Sequence, residues 1–120
     1  MTKGQLEAKL SEAVIKFEVE YMGRGPKNIR TYIVKDMIIA RLYGFLSPSE
    51  KKLTENIQGI ELFKKMRTSL FEIGRGYLES LINEVISVPI ISTYSDISTK
   101  TNEKIIIIVT DCNLEELMSK

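Results

Sequence analysis

Four cations gather between the first amphipathic segment of the chain and its first strand-like one. Arg24, Lys27, Arg30 and Lys35 stand with no acidic residue between Met22 and Asp36. Gly23 and Gly25 flank Arg24, and Pro26 follows. Backbone N–H groups beside glycine, next to guanidinium groups, can hold a phosphate or a carboxylate. Arg24, Gly25, Lys27 and Arg30 are therefore the candidate anion-binding residues. The spacing is not that of a Walker loop, because no Lys-Ser/Thr pair follows. Nor is it a dinucleotide fingerprint, which needs a strand before it and a helix after it. A plainer reading accounts for the glycines and the proline: Gly23 ends a helix and Pro26 forbids its continuation. Arg24 is the one side chain that this reading does not require.

Other chemistries find less support. The chain has no histidine, which removes Cys-His pairs, Ser-His-Asp triads and the commonest metal ligand. Cys112 is the single cysteine, so no intrachain disulfide forms; it reads as an inert thiol in a reducing cytoplasm. Asp36, Asp96 and Asp111 lie near predicted strand ends, and with Glu50 they could be grouped around a metal. Turn and capping roles explain each one separately, and their spacing is not diagnostic, so no metal or cofactor is expected. Tyr32, Tyr43 and Tyr94 fall in strands, where aromatic residues pack well. An RNA-binding sheet also shows aromatics beside basic residues, but a net charge of +1 argues against nucleic acid. Without a base of suitable pKa, the chain reads as a non-enzyme.

The elements that position these residues are legible as one domain spanning 1–120. Leu6, Leu10, Val14, Phe17 and Tyr21 form one helical stripe, predicting a helix over about 4–21. Strict alternation over 28–35 and 37–44 predicts a hairpin turning at Lys35-Asp36. Ser47, Pro48 and Glu50 form a capping box that starts a helix running to about 56. A longer helix follows over about 60–86, with Leu62, Phe63, Met66, Leu70, Ile73, Tyr77, Leu81 and Val85 as its apolar positions. Gly74 and Gly76 interrupt it and suggest a close approach to the first helix. Glu61/Lys65 and Arg75/Glu79 read as surface pairs on it, and Arg67 as surface decoration. Residues 88–97 and 104–110 form a second hairpin, the last strand central and buried on both faces. Asn113 and Glu116 begin a short terminal helix. Gly-Arg-Gly occurs twice, at 23–25 and 74–76, but in unlike contexts, so it is not a repeat.

Taken together, these features resemble the MpsC-like family of small bacterial domains. The likeness rests on Tyr21-x-Gly23-Arg24-Gly25-Pro26, on Asp36 opening an apolar strand to Leu42-x-Gly44-x-Leu46, and on Ser47-Pro48-Ser49-Glu50. Leu53, Gly59, Arg67, Phe71 and Asp96-Ile97 complete it. Ser47 stands where the family usually has threonine, and Ile86-Ser87-Val88-Pro89 lacks the glycine common after the long helix. The resemblance implies association with a sodium-translocating, membrane-potential-generating system linked to inorganic-carbon uptake.

The resulting expectation is an α+β fold of helix–hairpin–helix–hairpin order, a mostly antiparallel four-stranded sheet packed on two main helices. The function expected is a non-enzymatic accessory or interaction domain of a membrane transport assembly. The alternative is a small-anion or nucleotide-binding sensor using the Gly-Arg-Gly-Pro loop. The MTKGQLEAKL start has no apolar core of a signal peptide, and the longest aliphatic run is too short to span a bilayer. A cytoplasmic protein without direct membrane insertion is expected, reaching membrane subunits through protein contacts. Apolar positions on both faces of the strands suggest a homodimer.

Overall fold

A threonine and a glutamine three residues apart start the first helix. Thr2 Oγ1 accepts from the Gln5 N–H at 3.1 Å, and Gln5 Oε1 accepts from the Thr2 N–H at 2.8 Å. This reciprocal cap opens α1 (Lys3–Glu20) in a computed structural model that describes residues 1–118. The hairpin β1 (Asn28–Val34) and β2 (Met37–Tyr43) comes next, then α2 (Pro48–Leu53) and α3 (Ile57–Val85). The second hairpin is β3 (Ile90–Ser98) and β4 (Glu103–Thr110), and α4 (Leu114–Met118) closes the described chain.

The four strands form one antiparallel sheet in the order β1-β2-β4-β3. The expected α+β class and the expected pairing of both hairpins hold. Register is set by alternation: Ile33, Ile38, Ala40, Leu42, Ile106 and Ile108 point to one face and are buried. α1 and α3 cover that face, with Leu10, Val14 and Phe17 of α1 and Phe71, Leu78 and Ile82 of α3 completing the core. A smaller cluster of Phe45, Leu46, Phe63 and Ile97 sits at the end of the sheet where the 44–47 segment meets β3.

Four details differ from the sequence reading. The break between α2 and α3 falls at 54–56, ahead of Gly59. Asn56 Oδ1 accepts from the Gly59 N–H at 2.7 Å and caps α3 three residues earlier than periodicity indicated. The buried stripe of α3 is also rotated from the expected one. Phe63, Arg67, Phe71, Gly74, Leu78 and Ile82 face the core, whereas Leu62, Met66, Ile73 and Tyr77 are exposed. Both sets have helical spacing, and the sheet selects between them. Third, β4 is central but is buried on one face only, since Ile105, Ile107 and Val109 remain half-exposed. Fourth, Arg75 pairs with Glu72 rather than Glu79, whose carboxylate instead accepts from Thr93 Oγ1 at 2.8 Å.

The glycine pair in α3 also divides. A Cβ at Gly74 would lie 2.3 Å from Tyr21 Cε2, so this glycine marks where the end of α1 crosses α3. Gly76 faces open space.

Candidate functional site

Three connections meet at one end of the sheet: the loop after α1, the segment after β2 and the β3–β4 turn. The first is built by a helix stop. The Tyr21 and Met22 N–H groups donate back to the Phe17 carbonyl at 2.9 and 3.3 Å, and Arg24 N–H donates to the Glu18 carbonyl at 3.0 Å. Gly23 takes φ +95°, the left-handed conformation that reverses the chain. Lys27 N–H donates to the Tyr43 carbonyl at 2.8 Å, which ties the loop to the end of β2. Gly44 N–H donates to the Asn102 carbonyl at 2.9 Å, and Leu46 N–H to Asn102 Oδ1 at 2.9 Å, which joins the other two.

Of the anion-binding candidates, Arg24 and Lys27 are exposed on this loop, and Gly25 is half-buried against Val19. Arg30 is set apart. It stands on the sheet face opposite the helices, beside Arg41 in register.

The charged residues that the fold does bring together are Glu18, Arg67 and Lys104, beneath this same end. Lys104 Nζ donates to both carboxylate oxygens of Glu18 at 3.1 and 3.0 Å, and both side chains are fully buried. The ammonium also lies 5.3 Å from the centre of the Phe71 ring. Desolvation lowers the Lys104 pKa below that of an ordinary lysine; the Glu18 carboxylate opposes this and the Arg67 charge adds to it. Arg67 is buried with its guanidinium carbon 5.5 and 5.7 Å from the ring centres of Phe45 and Phe63. Its Nε has no hydrogen-bond partner among the described residues.

Beside these groups lies a cavity of about 20 Å³, lined by Arg67, Thr68, Phe71, Ser95, Ile97 and Lys104, with Glu72 and Asp96 at its rim. That volume suits one water. The three charges carry two positive and one negative, with Arg67 the cation lacking a carboxylate. Chemically the arrangement can hold a small polar molecule and fix the sheet's register on α1. Sequence reading placed Arg67 on the surface, where the structure buries it, and singled out neither Glu18 nor Lys104. The signal was a charge inside an apolar stripe: Arg67 four residues from both Phe63 and Phe71, and Lys104 in phase with Ile106 and Ile108.

Elsewhere the four candidate carboxylates do not gather into one group among the described residues. Glu50 closes the Ser47 cap, accepting from the Ser47 N–H at 2.8 Å, while Asp36 and Asp111 share a rim with Cys112. Asp96 lies on the edge strand. Desolvation pushes the Cys112 thiol above its ordinary pKa, away from the reactive thiolate. No helix among the described residues is long and apolar enough to cross a membrane.

Fold and site define a small α+β domain with one helix-covered and one open sheet face, and a buried ionic cluster between the layers. The chain belongs to the MpsC family. The family model, described as "Na+-translocating membrane potential-generating system (MpsC)", matches residues 2–112. Two proteins of Bacillus subtilis (strain 168) are similar over most of their length. The uncharacterized protein YbcI is 30% identical over 119 residues, covering 99% of this chain and 96% of YbcI. The uncharacterized protein YrhF is 28% identical over 109 residues, covering 90% and 89% respectively. No solved structure matches the chain.

Proposed function

We propose that the chain is a non-enzymatic accessory domain that works by protein contact within a Na+-translocating, membrane-potential-generating system, from the cytoplasmic side. The observation that carries this reading is the outer face of α3. Leu62, Met66 and Ile73 are 61, 44 and 77% exposed and lie along one side of a 29-residue helix. Their spacing of four and seven residues is that of a helix offering an apolar seam to a partner. Such a seam is costly in water and is worth about 25 cal/mol per Å² when covered. The family description supports a partner within such a system.

The test is a deletion strain of the native host, with membrane potential read by a voltage-sensitive dye in sodium and in potassium media. Loss of the sodium-dependent component, restored by the wild-type chain but not by Ile73→Glu, is expected. An unchanged sodium response in the deletion strain would sink the reading.

A second reading, a small-anion sensor, draws on Arg67, a buried guanidinium with an unpartnered Nε at the end of the sheet where the Arg24 loop is anchored. In it Arg24, Gly25 and Lys27 bind a phosphate or carboxylate, and Arg30, on the opposite sheet face, takes no part. Thermal-shift screening with phosphate and with formate separates the readings. Stabilisation lost in Arg24→Ala favours the loop as sensor, and no stabilisation leaves the contact reading alone.

A further inference from the structure

We propose that a second copy of this chain covers the open sheet face, around a two-fold axis that runs parallel to the strands between β2 and β4. This goes beyond the contact reading of α3, which concerns a different surface.

Both long helices lie on the other side of the sheet, so the open face is bare among the described residues. Its central row is apolar and aromatic from edge to edge: Tyr32, Ile39, Ile107 and Tyr94 stand side by side in register. Tyr32 and Tyr94 are 42 and 59% exposed. Val34, Met37 and Val109 continue the patch on one side of that row. With strands about 4.8 Å apart and residues about 3.3 Å apart, the face measures roughly 19 by 23 Å, or about 450 Å² per copy before side-chain relief. Two copies bury about 900 Å² before that relief, against about 1,200 Å² at the lower end of specific interfaces.

The charges identify the occupant and the axis. The row beside the aromatic one reads Arg30, Arg41, Ile105, Asp96. Arg41 is already held by Glu103 at 2.8 Å, but Arg30 has no ion-pair partner among the described residues. At the opposite edge, the cation nearest Asp96 is Lys64 at 3.8 Å. The face thus carries an unpaired cation at one end of a row and a loosely paired anion at the other. Rotation about an axis parallel to the strands reverses the strand order and keeps each row at its level. It sets β1 on the partner's β3 and β2 on the partner's β4. Arg30 then meets a second Asp96, Tyr32 a second Tyr94, and Ile39 a second Ile107, each twice by symmetry. The gap of about 10 Å between stacked sheets is one that an arginine and an aspartate facing each other can span. The other in-plane two-fold, perpendicular to the strands, cannot do this. Centred on the aromatic row, it lays Arg30 over Val34 and leaves two guanidinium groups buried without a counter-charge. Packing of α3 from another copy onto the sheet would be head-to-tail and would give rings or filaments rather than a two-fold dimer.

Light scattering coupled to size exclusion, run on the whole chain across a dilution series, tests this. The expected species is a dimer of twice the 13.7 kDa chain mass. Ile107→Lys and Tyr94→Glu are expected to be monomers with unchanged far-ultraviolet circular dichroism. Arg30→Asp and Asp96→Arg should each weaken dimerisation about tenfold or more, and the double variant should recover most of it. Ile73→Glu should leave the dimer intact. A monomeric wild type overturns the proposal, as does a dimer indifferent to Ile107→Lys or broken by Ile73→Glu. A double variant no tighter than the single ones overturns the axis. None of these outcomes depends on the sodium response, so the accessory-domain reading stands or falls separately.

Discussion

The carboxylate of Glu18, two residues before the end of α1, is gripped by the ammonium of Lys104 in β4 with no solvent around either group. This pair locks the helix layer to the sheet where α1 ends. A buried pair of this kind gains little over an apolar replacement, but breaking it leaves one charge stranded. Lys104→Met alone is therefore expected to cost about 3–5 kcal/mol. The double variant Glu18→Leu/Lys104→Met should return to within about 1 kcal/mol of wild type or exceed it. Urea midpoints with an unchanged slope measure both. A double variant as unstable as the single one would mean that the pair fixes the fold rather than merely tolerating burial.

The two glycines of α3 should respond in opposite directions to alanine. At Gly74 the new methyl meets the Tyr21 ring at 2.3 Å, and that ring is held by stacking on Phe17 at 5.3 Å between centroids. Overpacking of about 1–3 kcal/mol outweighs the gain of about 1 kcal/mol in helix propensity, so Gly74→Ala should destabilise by about 1 kcal/mol. Gly76 has nothing near it, and Gly76→Ala should stabilise by up to about 1 kcal/mol. Thermal melts of the two variants against wild type decide the matter.

The same contrast explains how far the fold was legible. Alternation in 28–43 and 103–110 specifies which strand residues share a face, because a one-residue slip would turn every side chain over. Helix starts at Ser47 and strand limits at Pro89 follow from local chemistry. The rotation of α3 does not. Leu62, Met66 and Ile73 make as good a stripe as Phe63, Phe71 and Leu78, and only the sheet beneath decides between them. The site failed for a related reason. A lysine among isoleucines reads as a solvated end until a glutamate from a segment 86 residues away is seen to meet it. Arg24, by contrast, stands out in the sequence by its glycine-flanked spacing. Its backbone N–H seals a helix carbonyl, and its side chain is exposed.

At the opposite end of the molecule, α4 is tied back by Glu115. Its carboxylate accepts from Lys3 Nζ at 2.6 Å and from the Lys35 N–H at 3.2 Å. The Lys3 hydrogen bond, then that of the Lys35 backbone, holds the Glu115 pKa below its ordinary 4.5. The carboxylate is thus favoured in the folded chain. Its contribution to stability is present above about 4.5 and is lost as pH falls through the lower folded value. Carboxyl NMR titration should find Glu115 below its ordinary 4.5, with Lys3→Ala moving it up. No movement in that variant would assign the depression to the Lys35 backbone instead.

Arg67 should prove less replaceable by lysine than by methionine, the reverse of what charge conservation suggests. Its guanidinium carbon lies 5.5 and 5.7 Å from the ring centres of Phe45 and Phe63, contacts worth about 0.5–2 kcal/mol together with the burial of its stem. Its Nε meets no acceptor among the described residues, which costs about 1–3 kcal/mol. Methionine keeps the apolar stem, fits between aromatic rings and removes the orphaned donor, so Arg67→Met should fall within about 1 kcal/mol of wild type. Lysine places a compact, strongly hydrated ammonium in the same pocket, where it cannot stack as a plane and where Lys104 already carries a positive charge. Arg67→Lys should therefore destabilise by about 2 kcal/mol or more. Urea titration of the two variants orders them. If lysine is the better tolerated, the charge at this position matters more than its shape, and an anion in the cavity becomes the explanation for its burial.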